Sequence, residues 1–126
     1  YILNLYQGGL GLPDESYYRD DKYKEIREKY VAHVSRMFEL AGLADPKGSA
    51  ARVMALETRL AKDHWDRVRS RDDTLTYNKK DQKALAELTP GFDWPSWLTV
   101  MKAEGVVGEA IVRQPSYFTA MAKALD

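Results

Sequence analysis

Two long stretches of this 126-residue chain carry apolar residues at the spacing of one helical face, and this pattern limits the fold more than any other feature. The first stretch follows Asp20 and Asp21, either of which suits an N-cap, and it stops at Gly42, a residue type that commonly ends helices. Its spacing predicts a helix about 30 Å long. Its apolar positions are Tyr23, Ile26, Tyr30, Val31, Val34, Met37, Phe38 and Ala41.

The second stretch begins at Asp45 and Pro46, where Asp suits the N-cap and Pro the first turn, with Ser49 as an alternative cap. Most of its charged residues fall off the apolar stripe and form a solvated face. Because only a few residues join the two stretches, they predict an antiparallel helical hairpin packed stripe to stripe. The second stripe runs through Val53, Leu56, Leu60, Ala61, Trp65 and Val68.

Two short strands are predicted near the ends of the chain. Residues 1–6 alternate in a β-prone pattern, and residues 7–13 then break the strand with three glycines and a proline. Residues 106–112 are rich in β-branched side chains and predict a strand that pairs with residues 1–6. Residues 70–77 have no helical period and predict a loop.

Shorter helices are predicted in the second half of the chain. One opens at Asn78, with Asp81 three residues later as a weaker form of the capping box, and stops at residues 90–91, Pro-Gly. The next is capped by Asp93 and ends at Gly105.

The last predicted helix opens at Pro115 and Ser116. These patterns predict a mainly α fold: a single domain over residues 1–126 with two long antiparallel helices, several shorter helices and a minor β element. The apolar side of the last helix consists of Tyr117, Phe118, Met121 and Leu125.

Composition excludes several classes of function. Lys+Arg and Asp+Glu both number 19, so the chain has no basic excess with which to bind nucleic acid or an anionic membrane. Cys is absent, which excludes disulfides, thiolate nucleophiles and cysteine-ligated zinc within these residues. No apolar run approaches the roughly 18 residues of a membrane span. We therefore expect no nucleic-acid partner and no membrane span in this chain.

Only two histidines could serve in metal binding, His33 and His64, and each falls within a predicted long helix. A zinc peptidase of the common kind places two histidines four residues apart on one helix, because that spacing points both imidazoles at one ion. Neither histidine has such a partner. A metal site would need Glu57 or Asp63 as an additional ligand, and a structural role for each histidine is the competing interpretation.

Glu57 is a candidate carboxylate beside the apolar stripe of the second helix. It lies seven residues before His64, and so on nearly the same helical face, two turns away. One hypothesis is a small-molecule site formed by Glu57 and His64. The other is that Glu57 is a boundary residue that pairs with an arginine of the neighbouring helix.

The glycine-rich residues 7–11 lack the Lys-Ser/Thr of a phosphate-binding loop. They predict a turn that lets the backbone pass close to a neighbour. Aromatic residues at helical spacing are more typical of a core than of a cofactor site. The residues alone therefore assign no catalytic, cofactor-binding or metal-binding position. The aromatic set is Tyr17, Tyr18, Tyr23, Tyr30, Trp65, Trp94 and Trp97.

Residues 6–18 contain a motif that is more specific to one protein family than the helical patterns are. Their sequence, Tyr-Gln-Gly-Gly-Leu-Gly-Leu-Pro-Asp-Glu-Ser-Tyr-Tyr, resembles the Q-x-x-L-G-L-P-x-x-x-Y-Y signature in the N-terminal part of the neprilysin/endothelin-converting-enzyme/PepO family of zinc metallopeptidases. The resemblance covers essentially the whole chain, which we interpret as part of a longer polypeptide. Animal members carry disulfide-forming cysteines, so the absence of Cys indicates a bacterial relative. Further matching pieces follow in the family's order at residues 30–33, 56–61, 77–78, 92–94, 112–115 and 117–118.

The resemblance implies a two-lobed zinc metalloendopeptidase that hydrolyses small peptides. One lobe carries His-Glu-x-x-His and a downstream Glu that bind catalytic zinc, and the other, mostly helical lobe caps the active-site chamber and restricts substrate access. This chain matches part of the capping lobe and contains none of the zinc motif. The resemblance therefore implies zinc in the parent enzyme, no zinc bound by this chain, and no catalytic or metal-binding residue here.

The same resemblance implies the partners and the location. The expected partners are the catalytic lobe of the same polypeptide and small peptide substrates. The expected location is extracytoplasmic, in the periplasm or cell envelope. The alternative function is a free-standing helical interaction module without catalytic activity, which docks a partner helix on an exposed apolar stripe.

Overall fold

The computed structural model describes residues 2–125, so Tyr1 of the predicted first strand and Asp126 lie outside the described residues. Within them the fold is mainly α, with seven α-helices and a three-stranded sheet, and no helix is both long and apolar enough to cross a membrane. The chain divides into two compact units: the hairpin unit, Gly9–Lys62, and the sheet unit, which contains the residues before Gly9 and those from Asp63 onwards. The single domain over residues 1–126 stays a prediction.

The hairpin unit contains the two long helices that the sequence predicts. Its elements are α1 (Ser16–Arg19), a 3-10 turn (Asp21–Tyr23), α2 (Lys24–Leu40) and α3 (Pro46–Ala61). α2 packs against α3, and α1 contacts both. The unit's core consists of the buried residues Leu12, Tyr18 and Ala61, surrounded by the partly buried Leu10, Tyr17, Tyr30 and Met54.

The connection between α2 and α3 has the caps that the sequence predicts. Asp45 caps α3 by accepting a hydrogen bond from Gly48 N at 3.1 Å. Gly42 has φ +70°, and the amides of Gly42 and Leu43 donate to carbonyls in the last turn of α2. These paired bonds form a Schellman motif, in which glycine is favoured because φ is positive.

The predicted N-cap of α2 is wrong. The N-cap position is Tyr23, which provides no side-chain cap. The Asp20 carboxylate makes no capping bond and instead pairs with the Arg19 guanidinium at 2.9 Å, while Asp21 lies inside the 3-10 turn. With 17 residues, α2 is about 25 Å long and so shorter than predicted.

α3 ends earlier than predicted, since its expected stripe continued through Trp65 and Val68. The side chain of Gln7 holds the backbone of Trp65: Trp65 N donates to Gln7 Oε1, and Gln7 Nε2 donates to Trp65 O, both at 2.8 Å. Because the backbone N–H and C=O of Trp65 already bond to Gln7, they do not form the hydrogen bonds that would continue the helix. Val68 is exposed.

A three-stranded sheet organises the sheet unit. β1 (Leu3–Leu5) lies parallel to β3 (Glu109–Val112), with Leu3 opposite Ala110. For the described residues this confirms the predicted pairing of the two ends. β2 (Lys79–Asp81) pairs antiparallel with the other side of β3. The sequence did not predict β2, because two lysines and an aspartate are depleted in strands.

Four α-helices complete the sheet unit. α7 begins at Pro115 as predicted and buries Tyr117 and Phe118, whereas Leu125, which was expected on the buried side, is exposed. The four helices of this unit are α4 (Asp73–Thr76), α5 (Gln82–Leu88), α6 (Trp94–Val100) and α7 (Pro115–Leu125).

Aspartates cap three of these helices. Asp93 caps α6 as predicted. Asp81, and not Asn78, caps α5, because the Asn78 amide donates to a carbonyl of the preceding turn. Asp72 caps α4, so α4 and a 3-10 turn (Arg69–Arg71) replace most of the predicted loop.

α6 ends well before Gly105, its predicted end. Lys102 has φ +53°, and the amides of Lys102 and Ala103 donate to carbonyls in the last turn of the helix. This is the same motif as at Gly42, formed here with a lysine in the conformation that favours glycine.

Candidate functional site

Glu57, on α3, lies at the centre of a polar cluster in the hairpin unit. Its carboxylate accepts hydrogen bonds from the Tyr18 hydroxyl at 2.6 Å, the Tyr30 hydroxyl at 2.9 Å and Gly11 N at 3.2 Å. The donors belong to α1, to α2 and to the turn that precedes α1. One carboxylate therefore links this turn to all three helices of the unit. These four residues are called the Glu57 cluster below.

The Tyr18 hydroxyl extends the cluster by one further bond. It accepts from Leu12 N at 2.9 Å while it donates to Glu57. Two successive amides of the turn, those of Gly11 and Leu12, are thus bonded directly or through Tyr18 to the same carboxylate. Bonds that share donors and acceptors in this way polarise and strengthen one another.

The electrostatics of the cluster keep both tyrosines protonated. Burial, followed by the hydrogen bond to Glu57, raises the pKa of Tyr18 above its usual value and the pKa of Tyr30 to about 12. Both hydroxyls therefore remain donors near neutral pH. A carboxylate that already accepts from these two hydroxyls and from a backbone amide suits anchoring of the turn rather than general base catalysis.

Gly11 has no room for a side chain. A Cβ at this position would overlap with the hydroxyl and ring of Tyr30. Gly9, two residues earlier, has φ +82°, which favours glycine over other residues. The predicted close approach of the glycine turn to a neighbour is confirmed at Gly11, and the neighbour is a member of the Glu57 cluster.

The site that was predicted for Glu57 and His64 on one helical face does not form, because only Glu57 lies in α3. His33 is exposed on α2. His64 does not lie in a helix, because α3 ends three residues earlier; its Nε2 is 3.0 Å from Gly8 O, and its ring meets the Tyr117 ring edge-on at 4.8 Å. The predicted helical face shared by Glu57 and His64 is therefore wrong. The alternative pairing of Glu57 with an arginine is also replaced, by two tyrosines and an amide.

The described residues do not suit a bound metal ion. Over residues 2–125, no group of three or more His, Asp or Glu side chains could hold one. Zinc sites use thiolates, imidazoles and carboxylates, whereas the Glu57 cluster offers one carboxylate and two protonated hydroxyls. We therefore derive no zinc chemistry from the residues of this chain.

The sequence did not predict a second polar cluster, which surrounds Gln7 in the sheet unit. The Gln7 side chain makes two hydrogen bonds to the Trp65 backbone, and the backbone N–H of Gln7 donates to Gln114 Oε1 at 2.9 Å. The Trp65 indole donates to Ser116 Oγ at 2.7 Å. The available signal was the first letter of the Q-x-x-L-G-L-P signature, because a glutamine directly before a glycine turn can bond the backbone of a distant segment.

Comparison with known proteins shows which family the chain is similar to. The model of Peptidase family M13 matches residues 1–126. Endothelin-converting enzyme-like 1 of Rattus norvegicus is 30% identical in a match 103 residues long that covers 78% of this chain and 13% of that protein. Endothelin-converting enzyme 1 of Homo sapiens is 26% identical in a match 104 residues long that covers 79% of this chain and 14% of that protein.

The Mycobacterium tuberculosis zinc metalloprotease Zmp1 has the same fold over this chain. Its open state has a TM-score of 0.89 and 42% identity, and the match covers 98% of this chain and 20% of that one. Its complex with an inhibitor has a TM-score of 0.88 and 41% identity, over 98% and 19%. The chain thus spans a fifth or less of the length of these relatives.

The fold and the family match together identify the chain as the N-terminal region that the family model describes. The chain belongs to peptidase family M13. This confirms the resemblance to the neprilysin and endothelin-converting-enzyme family.

Proposed function

We propose that this chain is part of the helical N-terminal lobe of a zinc metalloendopeptidase that hydrolyses small peptides. The observation that carries the proposal is the match of 98% of the chain to a zinc metalloprotease at a TM-score of 0.89 and 42% identity. The parent enzyme holds zinc in a lobe outside these residues, and this chain binds none. Catalysis belongs to that other lobe, and the contribution of this chain is steric.

The steric role is to wall or cap the active-site chamber and so to restrict the substrates that enter. α2 and α3 are long helices packed against each other, and the Glu57 cluster fixes the glycine turn and α1 to them. Such a unit is rigid enough to exclude large substrates, because its turn and its helices share one anchor. Entry of substrate then requires the lobes of the parent enzyme to move relative to each other.

The partners and the location follow from the same proposal. The partner of this chain is the catalytic lobe of the same polypeptide, and small peptides are the substrates of the whole enzyme. The enzyme works outside the cytoplasm, in the periplasm or cell envelope, where extracellular peptides are met.

The first experiment measures the intact mass and zinc content of the natural gene product, captured with an antibody raised against this chain. We expect a polypeptide several times heavier than 14.4 kDa that contains stoichiometric zinc and cleaves peptides until a chelator is added. The isolated 126-residue chain, as the control, binds no zinc at micromolar concentration and cleaves nothing. A zinc-free natural product near 14.4 kDa would contradict the proposal and favour the interaction module.

A second experiment tests the capping role. Peptides of increasing length are supplied to the parent enzyme, to the E57A variant and to the matched control E28Q, whose side chain is exposed on α2. Loosening the Glu57 cluster should raise kcat/KM for long peptides relative to short ones, while E28Q keeps the ratio of the unmodified enzyme. An unchanged ratio in an E57A enzyme of measurably lower stability would argue against the capping role.

A further inference from the structure

Two tyrosine rings of the hairpin unit stack on each other. Tyr17 lies on α1 and Tyr23 ends the 3-10 turn, and their ring centroids are 3.9 Å apart with an angle of 8° between the planes. Most aromatic pairs in proteins are offset or edge-on, with centroids about 4.5–7 Å apart. The contact is therefore closer and more nearly parallel than is usual, and both residues are partly exposed. We call these two residues the stacked pair.

Arg27 holds the backbone from which both rings project. Its Nη1 donates to Tyr17 O at 2.7 Å and to Asp20 O at 2.8 Å. Tyr23 N donates to the same Asp20 O at 3.1 Å. One guanidinium nitrogen thus fixes the backbone at Tyr17 and, through Asp20, at Tyr23. The close approach of the two rings is therefore built into the fold of this segment.

The chemistry that this contact favours is coupling of the two phenols. Stacking holds ring carbons of one phenol against those of the other, which is the arrangement that radical coupling requires. The chain has no Cys, so a disulfide cannot serve as its covalent cross-link. Tyr18 and Tyr30 are less suited to coupling, because both hydroxyls donate to Glu57 and Tyr18 is buried.

We propose that the stacked pair is a site of oxidative cross-linking, at which a haem peroxidase with hydrogen peroxide joins Tyr17 to Tyr23 as dityrosine. Each hydroxyl gives up one electron and one proton, and the two phenoxyl radicals form a C–C bond between ring carbons that are next to the hydroxyl-bearing carbons. The hydrogen on each bonded carbon then returns to the phenolic oxygen as the ring regains aromaticity. The pair loses two hydrogen atoms in all, and one hydrogen peroxide takes up both electrons and both protons to become two waters.

Lys22 determines which ring reacts first. Its Nζ lies 4.8 Å from the centroid of the Tyr23 ring. A cation near the face of a ring attracts the π electrons and so opposes their removal. The first electron therefore leaves Tyr17, and Tyr23 follows within the same contact.

The reaction inside one molecule is favoured over coupling between molecules. Two groups joined by a short segment have an effective concentration on the order of 1 mM, which is about a hundredfold above a protein concentration of about 10 µM. The new bond closes the chain between α1 and the 3-10 turn, and so fixes the helix that carries Tyr18 of the Glu57 cluster. This inference does not depend on the proposed function, since both tyrosines belong to this chain and the oxidant is supplied from outside.

The test treats the full natural polypeptide, folded and at about 10 µM, with a haem peroxidase and hydrogen peroxide, and then digests it with trypsin. Trypsin cleaves after Arg19, Lys22 and Lys24, so Tyr17 and Tyr23 fall on different peptides. We expect mass spectrometry to find the peptide that ends at Arg19 joined to the dipeptide Tyr23-Lys24, with a mass two hydrogen atoms below the sum of the two peptides.

Variants assign the cross-link to the two hydroxyls. Y17F and Y23F keep the rings but each removes one phenol, so each should lower the amount of this product at least about tenfold. The matched control Y77F, which alters an exposed tyrosine, should leave the amount unchanged. R27M removes the two bonds that hold the backbone while both phenols remain, and it should also lower the yield. Far-UV circular dichroism verifies that each variant is folded.

Four results would overturn the inference. One is undiminished product in Y17F or Y23F, and another is a product in which the peptide of Tyr30 replaces that of Tyr23. The third is cross-linking that occurs only between molecules and rises with protein concentration. The last is oxidation of the exposed Met37 and Met101, which adds oxygen, without any tyrosine cross-link. None of these results bears on the mass and zinc content of the natural polypeptide, which test the proposed function.

Discussion

Replacing Glu57 by Gln tests whether its charge holds the glycine turn to the helices of the hairpin unit. Gln has nearly the same shape but offers one acceptor oxygen and an NH₂ group in place of two acceptor oxygens. The oxygen can still accept from Tyr18 and Gly11, as Glu57 Oε2 does. The NH₂ group then faces the Tyr30 hydroxyl, which donates to Glu57 Oε1 in the native protein.

The size of the effect follows from these bonds. A hydrogen bond to a charged group contributes about 1.5–3 kcal/mol and a neutral one about 1 kcal/mol, so each of the two tyrosine bonds loses about 0.5–2 kcal/mol. Because Glu57 is only partly buried, the lower half of that range applies. We therefore expect E57Q to lower the free energy of unfolding by about 1.5 kcal/mol, and E57A, which removes all three bonds, by about 3 kcal/mol.

Urea unfolding followed by far-UV circular dichroism measures both values. The slope of the free energy against urea should stay constant, because the surface exposed on unfolding does not change. The matched control E28Q should stay within about 0.5 kcal/mol of the unmodified protein. Combining E57Q with Y30F should give a loss smaller than the sum of the single losses by about 1 kcal/mol, since the two side chains share one bond.

Two results would refute this reasoning. One is an E57Q variant no less stable than E28Q, which would mean that the carboxylate contributes nothing beyond an exposed side chain. The other is strict additivity of E57Q and Y30F, which would mean that the bond between Glu57 and Tyr30 carries no energy.

Three further predictions concern other positions. G11A should destabilise the protein by about 1–2 kcal/mol in the same urea assay, because the added Cβ displaces Tyr30 from Glu57. The control G8A should change stability by less than about 0.5 kcal/mol, because a Cβ at Gly8 meets no heavy atom within 4 Å. K102G should raise the melting temperature, because it removes the strain of φ +53° and contributes about 0.5–1 kcal/mol; a lower melting temperature would contradict this. Between pH 10 and 12 the free energy of unfolding should fall as pH rises, because Tyr30 has a pKa of about 12 in the folded protein and an ordinary 10.0 in the unfolded chain, which therefore loses the Tyr30 proton first. The Y30F variant should show a smaller fall over this range. An unchanged slope in Y30F would contradict the raised pKa of Tyr30.

The parts of the fold that the sequence predicted depend on residues close together in the chain. The caps at Asp45 and Asp93 and the C-terminal glycine at Gly42 each act within three residues of their partners. Helix periodicity is equally local. The pairing of β1 with β3 was also predicted, because few other segments have β-prone composition.

The parts that the sequence did not predict depend on distant partners or on local strain. The end of α3 depends on Gln7, 58 positions away from Trp65. The end of α6 depends on Lys102 adopting a conformation that propensity assigns to glycine. At the candidate site the sequence drew attention to Glu57, but its partners were not predicted, because the direction of a tyrosine hydroxyl is set by how α1 and α2 pack.

The division of the chain has a consequence for its synthesis on the ribosome. The hairpin unit is continuous in sequence, so the Glu57 cluster can form as soon as Lys62 has left the exit tunnel. The sheet unit is interrupted by it, and the residues before Gly9 are made first yet bond with partners such as Gln114, 107 positions later than Gln7. β1 therefore waits for β3 while the residues between them, including the whole hairpin unit, are synthesised. A nascent strand with unpaired edges is a natural client for chaperones.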